Sequence, residues 1–141
     1  MEKPETIRVR HIAGEQFEVS TRQHQFRIDQ PIRDGGEDSA PTPVELFVSS
    51  LAACVAVYAR RFLVRHELPT EGLSVEADHW MSTRPVRVEK IALRLHFPDG
   101  VPEDKLPALL AVASHCTVHN TLQYLPKIRI DLVPARNAVG V

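Results

Sequence analysis

The chain has 141 residues, 43% of them hydrophobic and 25% charged, with 17 Lys and Arg balanced against 18 Asp and Glu. Dispersed basic residues and a formal net charge of -1 exclude the electrostatic footprint of a nucleic-acid binder, and a chain of this length is read as one domain spanning residues 1–141. The opening Met1-Glu2-Lys3-Pro4-Glu5 has no apolar stretch behind it, and the longest apolar run, residues 46–59, falls short of the ~20 residues of a membrane span, so the expectation is a cytoplasmic protein acting without a membrane or nucleic-acid partner.

Three short segments come first, residues 6–12, 16–20 and 23–29, with apolar residues at alternate positions (Ile7 and Val9, Phe17 and Val19, Phe26 and Ile28), the pattern of half-buried strands. Ala13-Gly14 supplies a hairpin turn between the first two. Residues 31–41 read as a loop, since Asp34-Gly35-Gly36-Glu37-Asp38 joins backbone freedom to negative charge. A long helix then starts at Pro43, with Thr42 as its cap and Glu45 completing a capping box. It extends over residues 43–66, and residues 46–59 are apolar or small on nearly every face. A helix needing only one apolar stripe would not look like this, so it is expected to be packed on several sides, one of them in a dimer interface.

After Pro69, Leu73, Val75 and Ala77 and then Ile91, Leu93, Leu95 and Phe97 mark the strands of an antiparallel hairpin turning near residues 82–85. A second helix is predicted over residues 103–113, its start disturbed by Pro107, and Ile128, Ile130 and Leu132 mark a last strand. The order βββ-α-ββ-α-β describes an α+β domain.

The chain's two cysteines, Cys54 inside the long helix and Cys116 in Ser114-His115-Cys116-Thr117-Val118-His119-Asn120, are its best candidates for chemistry. In a reducing compartment a cysteine pair is catalytic or metal-binding more often than a permanent bridge, although an isolated buried cysteine also serves as a small hydrophobe. If Ser114 caps the segment, Cys116 lies in a first helical turn where backbone N–H groups favour a thiolate, whereas Cys54 has no such local aid. Glu45 is accounted for by the cap. Histidines 115 and 119 share a helix face near Cys116, but they fall short of the four ligands of a structural zinc site, so no metal or cofactor is predicted.

His24-Gln25-Phe26-Arg27-Ile28-Asp29-Gln30-Pro31, the pair Gly35-Gly36, Ala40-Pro41-Thr42-Pro43-Val44-Glu45-Leu46-Phe47, Leu51-Ala52-Ala53-Cys54 and His115-Cys116-Thr117-Val118-His119-Asn120-Thr121-Leu122 together resemble the OsmC/Ohr family of thiol-dependent peroxide reductases. The resemblance implies an intertwined homodimer wrapped around two long buried central helices. It also implies that Cys54 attacks an organic hydroperoxide and becomes a sulfenic acid, that Cys116 resolves it as a disulfide, and that a dithiol, a lipoyl group in the organic-hydroperoxide branch, restores both. It thereby reverses the order of the two thiols drawn from local sequence.

The chain departs from that branch in three places. Where the branch has a glutamate ahead of its nucleophile, this chain has Val44, with Glu45 one residue late; its first hairpin turn lacks the branch's arginine; and Thr117 stands where a proline is usual after the second cysteine. The cation beside Cys54 is therefore sought among Arg22, Arg27 and Arg33, with Glu45 holding one of them. The alternative to an enzyme is a non-enzymatic small-molecule-binding or redox-sensing module on the same fold.

Overall fold

Alternation in the N-terminal segments produces an antiparallel sheet of three strands, β1 (Arg8–Ala13), β2 (Gln16–Thr21) and β3 (His24–Ile28), in that spatial order. The register sets Val9 opposite Val19 and Val19 opposite Phe26, with Phe17 opposite Ile28, so these five apolar residues share one face, while Ile12 falls at the register irregularity of β1. Val19 and Ile28 are buried, whereas Val9 and Phe26 remain exposed. The sheet contributes nothing to the main core of the chain. The computed structural model describes residues 2–135.

The connection from β3 is a cinched loop built on Asp29, which is fully buried. Its carboxylate accepts the backbone N–H groups of Gln30 (2.7 Å), Glu37 (3.3 Å) and Ser39 (3.0 Å) and the Ser39 hydroxyl (2.7 Å). Four donors on one carboxylate hold its pKa down at about 2, the Ser39 hydroxyl being the largest cause. The loop closes so tightly that a Cβ at Gly36 would stand 2.0 Å from the Gln30 carbonyl oxygen, which is why glycine is required there.

Thr42 ends the loop and starts helix α1 (Pro43–Arg65). The predicted capping box is formed: Glu45 donates its N–H to Thr42 Oγ1 at 3.1 Å and Thr42 donates its own to Glu45 Oε1 at 2.9 Å. Val48, Leu51, Val55, Ala59, Phe62 and Leu63 form the buried stripe of α1. It packs on the hairpin of β4 (Ser74–Thr83) and β5 (Val86–His96), whose apolar pairs include Val75 with Leu95 and Ala77 with Leu93, and on α2 (Leu106–Ala113) and α3 (Thr117–Gln123). The predicted helix over residues 103–113 is divided. A 3-10 turn at Glu103–Lys105 comes first and α2 begins at Leu106, which places Pro107 in its first turn, where no backbone donor is lost.

One expectation needs correction, and two features of α1 bear on the reading made of it. By length and composition α1, 23 residues long, satisfies the requirement for a membrane span that the 46–59 run alone did not meet; its stripe at the centre of the core makes it a packed core helix instead. Within one chain, however, α1 is buried on one stripe only. The residues Phe47, Ser50, Cys54, Val57, Arg61 and Val64 recur at helical spacing along another line, and Phe47, Val57 and Val64 are exposed on it. Finally, the strand predicted at Ile128, Ile130 and Leu132 is not formed, and these residues are 81%, 87% and 99% exposed. Alternation confers two faces on a segment but supplies no hydrogen-bonding neighbour, and no strand among the described residues lies alongside it. Residues 128–132 adopt no regular structure, while the segment after Cys116 forms α3, so the observed order among the described residues is βββ-α-ββ-α-α and the α+β class holds.

Candidate thiol site

Cys54 and Cys116 meet at the first turn of α3. Cys116 sits in extended conformation (φ -71°, ψ 160°) as the N-cap of α3, and its Sγ accepts the His119 N–H at 3.4 Å. The neighbouring N–H, from Val118, is donated to Sγ of Cys54 at 3.5 Å. Consecutive amides of one turn therefore serve the two sulfurs. The sequence expectation that Ser114 caps this segment is corrected, since Ser114 closes α2 and the cysteine sulfur itself does the capping.

The surroundings of the sulfurs differ. Cys116 is fully buried, and burial pushes its thiol pKa up; the His119 amide opposes this and the adjacent Cys54 thiol adds to it. Cys54 is partly exposed on the uncovered line of α1. Burial therefore works against the activation of Cys116 that its place at the start of a helix suggests, because desolvation outweighs its amide contact.

Tyr58, one helical turn beyond Cys54, completes the contact between α1 and α3. Its hydroxyl is 2.6 Å from Thr117 Oγ1, and the Arg61 guanidinium lies 5.4 Å from its ring centroid. Sequence reading missed Tyr58 and the Val118 amide. Tyr58 stands four positions after Cys54 on the same helix, the only signal available for it, and a backbone donor leaves no mark in side-chain patterns.

The supporting residues are dispersed. Glu45 is engaged in the capping box at the edge of a cavity of about 400 Å³ that Arg33, Gln30, His79 and Met81 also line. Arg33 lies 3.7 Å from Asp34. Arg22 occupies the β2–β3 turn with φ 51°, and Arg27 lies on β3 opposite Glu18. Among the described residues, none of these arginines makes a hydrogen bond or ion pair with either cysteine. His115 Nδ1 is 2.6 Å from the Ala111 carbonyl oxygen, and His119 Nδ1 is buried without a hydrogen-bond partner. No group of three or more His, Cys, Asp or Glu among the described residues is placed to hold a metal ion.

Residues 36–131 match the family model described as OsmC-like protein. No curated protein sequence matches significantly. Among solved structures, the chain is similar to a candidate osmotic stress induced and detoxification response protein of Psychrobacter arcticus 273-4, with TM-score 0.78 and 20% identity over 86% of this chain and 90% of that one. It is also similar to the OsmC-like protein of Mycoplasma pneumoniae (TM-score 0.69, 23% identity, 89% and 91% covered). An organic hydroperoxide resistance protein OsmC of Legionella pneumophila gives TM-score 0.62 at 23% identity, with 86% and 92% covered. At these identities the likeness speaks for the fold.

Proposed function

The chain belongs to the OsmC-like protein family, and from that premise we propose that it is a cytoplasmic thiol peroxidase in which Cys54 reduces organic hydroperoxides and Cys116 resolves the product. The observation that carries this reading is the seating of both sulfurs on consecutive amides of one helical turn. The division of labour follows from burial. The partly exposed Cys54 is the thiol that a substrate can reach, and the buried Cys116 needs to meet only its neighbour.

The chemistry balances in three steps. The Cys54 thiolate attacks the terminal oxygen of R–O–OH, the O–O bond breaks, and the alkoxide takes a proton to leave as ROH, so that sulfur is oxidised to sulfenic acid. The Cys116 thiolate then attacks that sulfur, displacing hydroxide, which leaves as water, and forming the disulfide. An external dithiol, of lipoyl type by the family resemblance, reduces the disulfide by two exchanges and is itself oxidised to a disulfide.

The reading includes a homodimer. The uncovered line of α1 with Phe47, Val57 and Val64, the apolar face of the N-terminal sheet, and the unpaired alternation of Ile128, Ile130 and Leu132 together expose more apolar surface than an isolated domain normally shows. A second copy covers α1 along the line that holds Cys54, walls in the thiol, and supplies the cation that the described residues of one chain do not place there.

The deciding measurement is consumption of an organic hydroperoxide by the full chain with a dithiol reductant. Turnover that is lost in Cys54→Ser supports the assignment. Absence of turnover in the wild type, with a dithiol of lipoyl type present, would leave the small-molecule-binding or redox-sensing reading in its place.

A further inference from the structure

The hydroxyl pair of Tyr58 and Thr117 joins residues 59 positions apart across 2.6 Å, at the turn where α3 meets α1. Thr117 is the first residue of α3, directly after Cys116 and directly before Val118, whose N–H reaches the Cys54 sulfur. Tyr58 is one turn from Cys54 on α1, so Cys54 and Tyr58 face α3 side by side. α3 has seven residues, too few to hold a fixed position by its own helical stability. Cys116 anchors the inner side of this turn in the core, with Val118 and Leu122 packed beside it, and the hydroxyl contact of the exposed Thr117 ties down its outer side. The Arg61 guanidinium lies over the Tyr58 ring, 5.4 Å from its centroid, on the same helix.

We propose that Tyr58 and Thr117 are positioning residues for the thiol pair: their hydroxyl contact clasps the first turn of α3 onto α1 so that the Val118 and His119 amides meet the two sulfurs. This deepens the reading of Cys54 and Cys116 as a working pair and rests on it. A hydrogen bond to sulfur stabilises thiolate over thiol, so an amide that drifts from Cys54 leaves less thiolate at a given pH. The clasp acts through the amide, and neither hydroxyl takes part in bond making.

The test is the pH dependence of iodoacetamide alkylation at Cys54 in the full chain, read by mass spectrometry of the Cys54 peptide. Tyr58→Phe and Thr117→Val each remove one hydroxyl while preserving shape. Each is expected to move the midpoint of the alkylation curve upward and to slow alkylation at neutral pH by roughly three- to tenfold. The double variant should lose no more than either single one, because the two hydroxyls act as a unit. Thr117→Ser should restore the wild-type curve, which a packing role of the threonine methyl would not allow. Should Tyr58→Phe fail to fold, Thr117→Val and its serine rescue decide the matter, since Thr117 is exposed. Single-variant curves that superimpose on the wild type, or losses that add in the double variant, would overturn the proposal. Peroxide turnover is measured separately, so an inactive wild type removes the peroxidase assignment without touching the alkylation curves.

Discussion

Val118 donates its backbone N–H to the sulfur of Cys54 across 3.5 Å, bringing together residues 64 positions apart in the chain. Since Cys116 caps the same turn, the two sulfurs are neighbours already in the reduced protein, and the pKa of the Cys116 thiol carries a contribution from Cys54. A disulfide requires Cα atoms within about 7 Å or a small local movement to bring them there, a condition that sulfurs sharing one helical turn are placed to meet.

Treatment of the reduced protein with one equivalent of organic hydroperoxide is therefore expected to yield an intrachain Cys54–Cys116 disulfide, identified by peptide mapping without reductant. In Cys116→Ser the sulfenic acid on Cys54 should persist and react with dimedone. Serine keeps an N-cap acceptor for the His119 amide, so the turn itself survives the substitution. Oxidation that links Cys54 to a second copy instead would refute Cys116 as the resolving thiol.

The uncovered line of α1 separates association from folding. Sequence alone implies that a charge at Ala53 or Ala56 harms the dimer and the fold together. In the folded chain Ala53 is exposed, close to Ser50, Cys54 and Val57, while Ala56 is half-buried. Ala53→Asp should keep the far-UV circular dichroism of the wild type yet weaken self-association at least roughly tenfold, because an unpaired carboxylate must be desolvated in the interface. Light scattering after size exclusion measures this. A wild type that is monomeric and monodisperse at micromolar concentration would count against the dimer.

Thr42 offers a test confined to stability. Thr42→Ala removes the acceptor for the Glu45 amide and leaves the N-terminus of a 23-residue core helix with an unmet donor. The expected loss is about 1 kcal/mol in urea unfolding, with peroxide turnover unchanged once the protein is folded. A much larger effect on turnover than on stability would place the cap within the reactive site.

The parts of the structure that were legible in the sequence are those set by local chemistry. The boundary at Thr42 and Pro43 follows from a cap and a proline whose preferences act within one turn; β4 and β5 follow from alternation against the core of the same chain, and β1–β3 from alternation joined by tight turns. Ile128, Ile130 and Leu132 show the limit. Their alternation is as regular as that of β5, but whether it becomes a strand depends on a neighbouring edge that no periodicity encodes. At the thiol site the residue types were readable and the donors were not. Cys54 and Cys116 stand out by chemistry, whereas the Val118 amide and the Tyr58 hydroxyl acquire their importance from a packing of α3 on α1 that the sequence does not reveal. The search for a cation among Arg22, Arg27 and Arg33 failed within one chain because two of them sit on a sheet that stands apart from the core.

Asp29 gives the acid response of the fold a defined sign. Its pKa falls from 3.8 in the unfolded chain to about 2 in the folded one, because the Ser39 hydroxyl and three backbone N–H groups all donate to the carboxylate. The unfolded chain thus binds this proton more readily. The stabilisation from Asp29 is fully present above the unfolded value and is lost as pH falls from there through about 2. Asp29→Asn replaces an acceptor oxygen with an NH₂ group that must face donors of residues 30–39, so the variant should melt well below the wild type at neutral pH. Because asparagine does not titrate, the gap between the two melting temperatures should narrow as pH is lowered through that window, while the other carboxylates titrate alike in both proteins. Calorimetry across the acid range reads it directly. A gap that stays constant from neutral pH down to about 2 would show that the loop does not depend on the charge of Asp29.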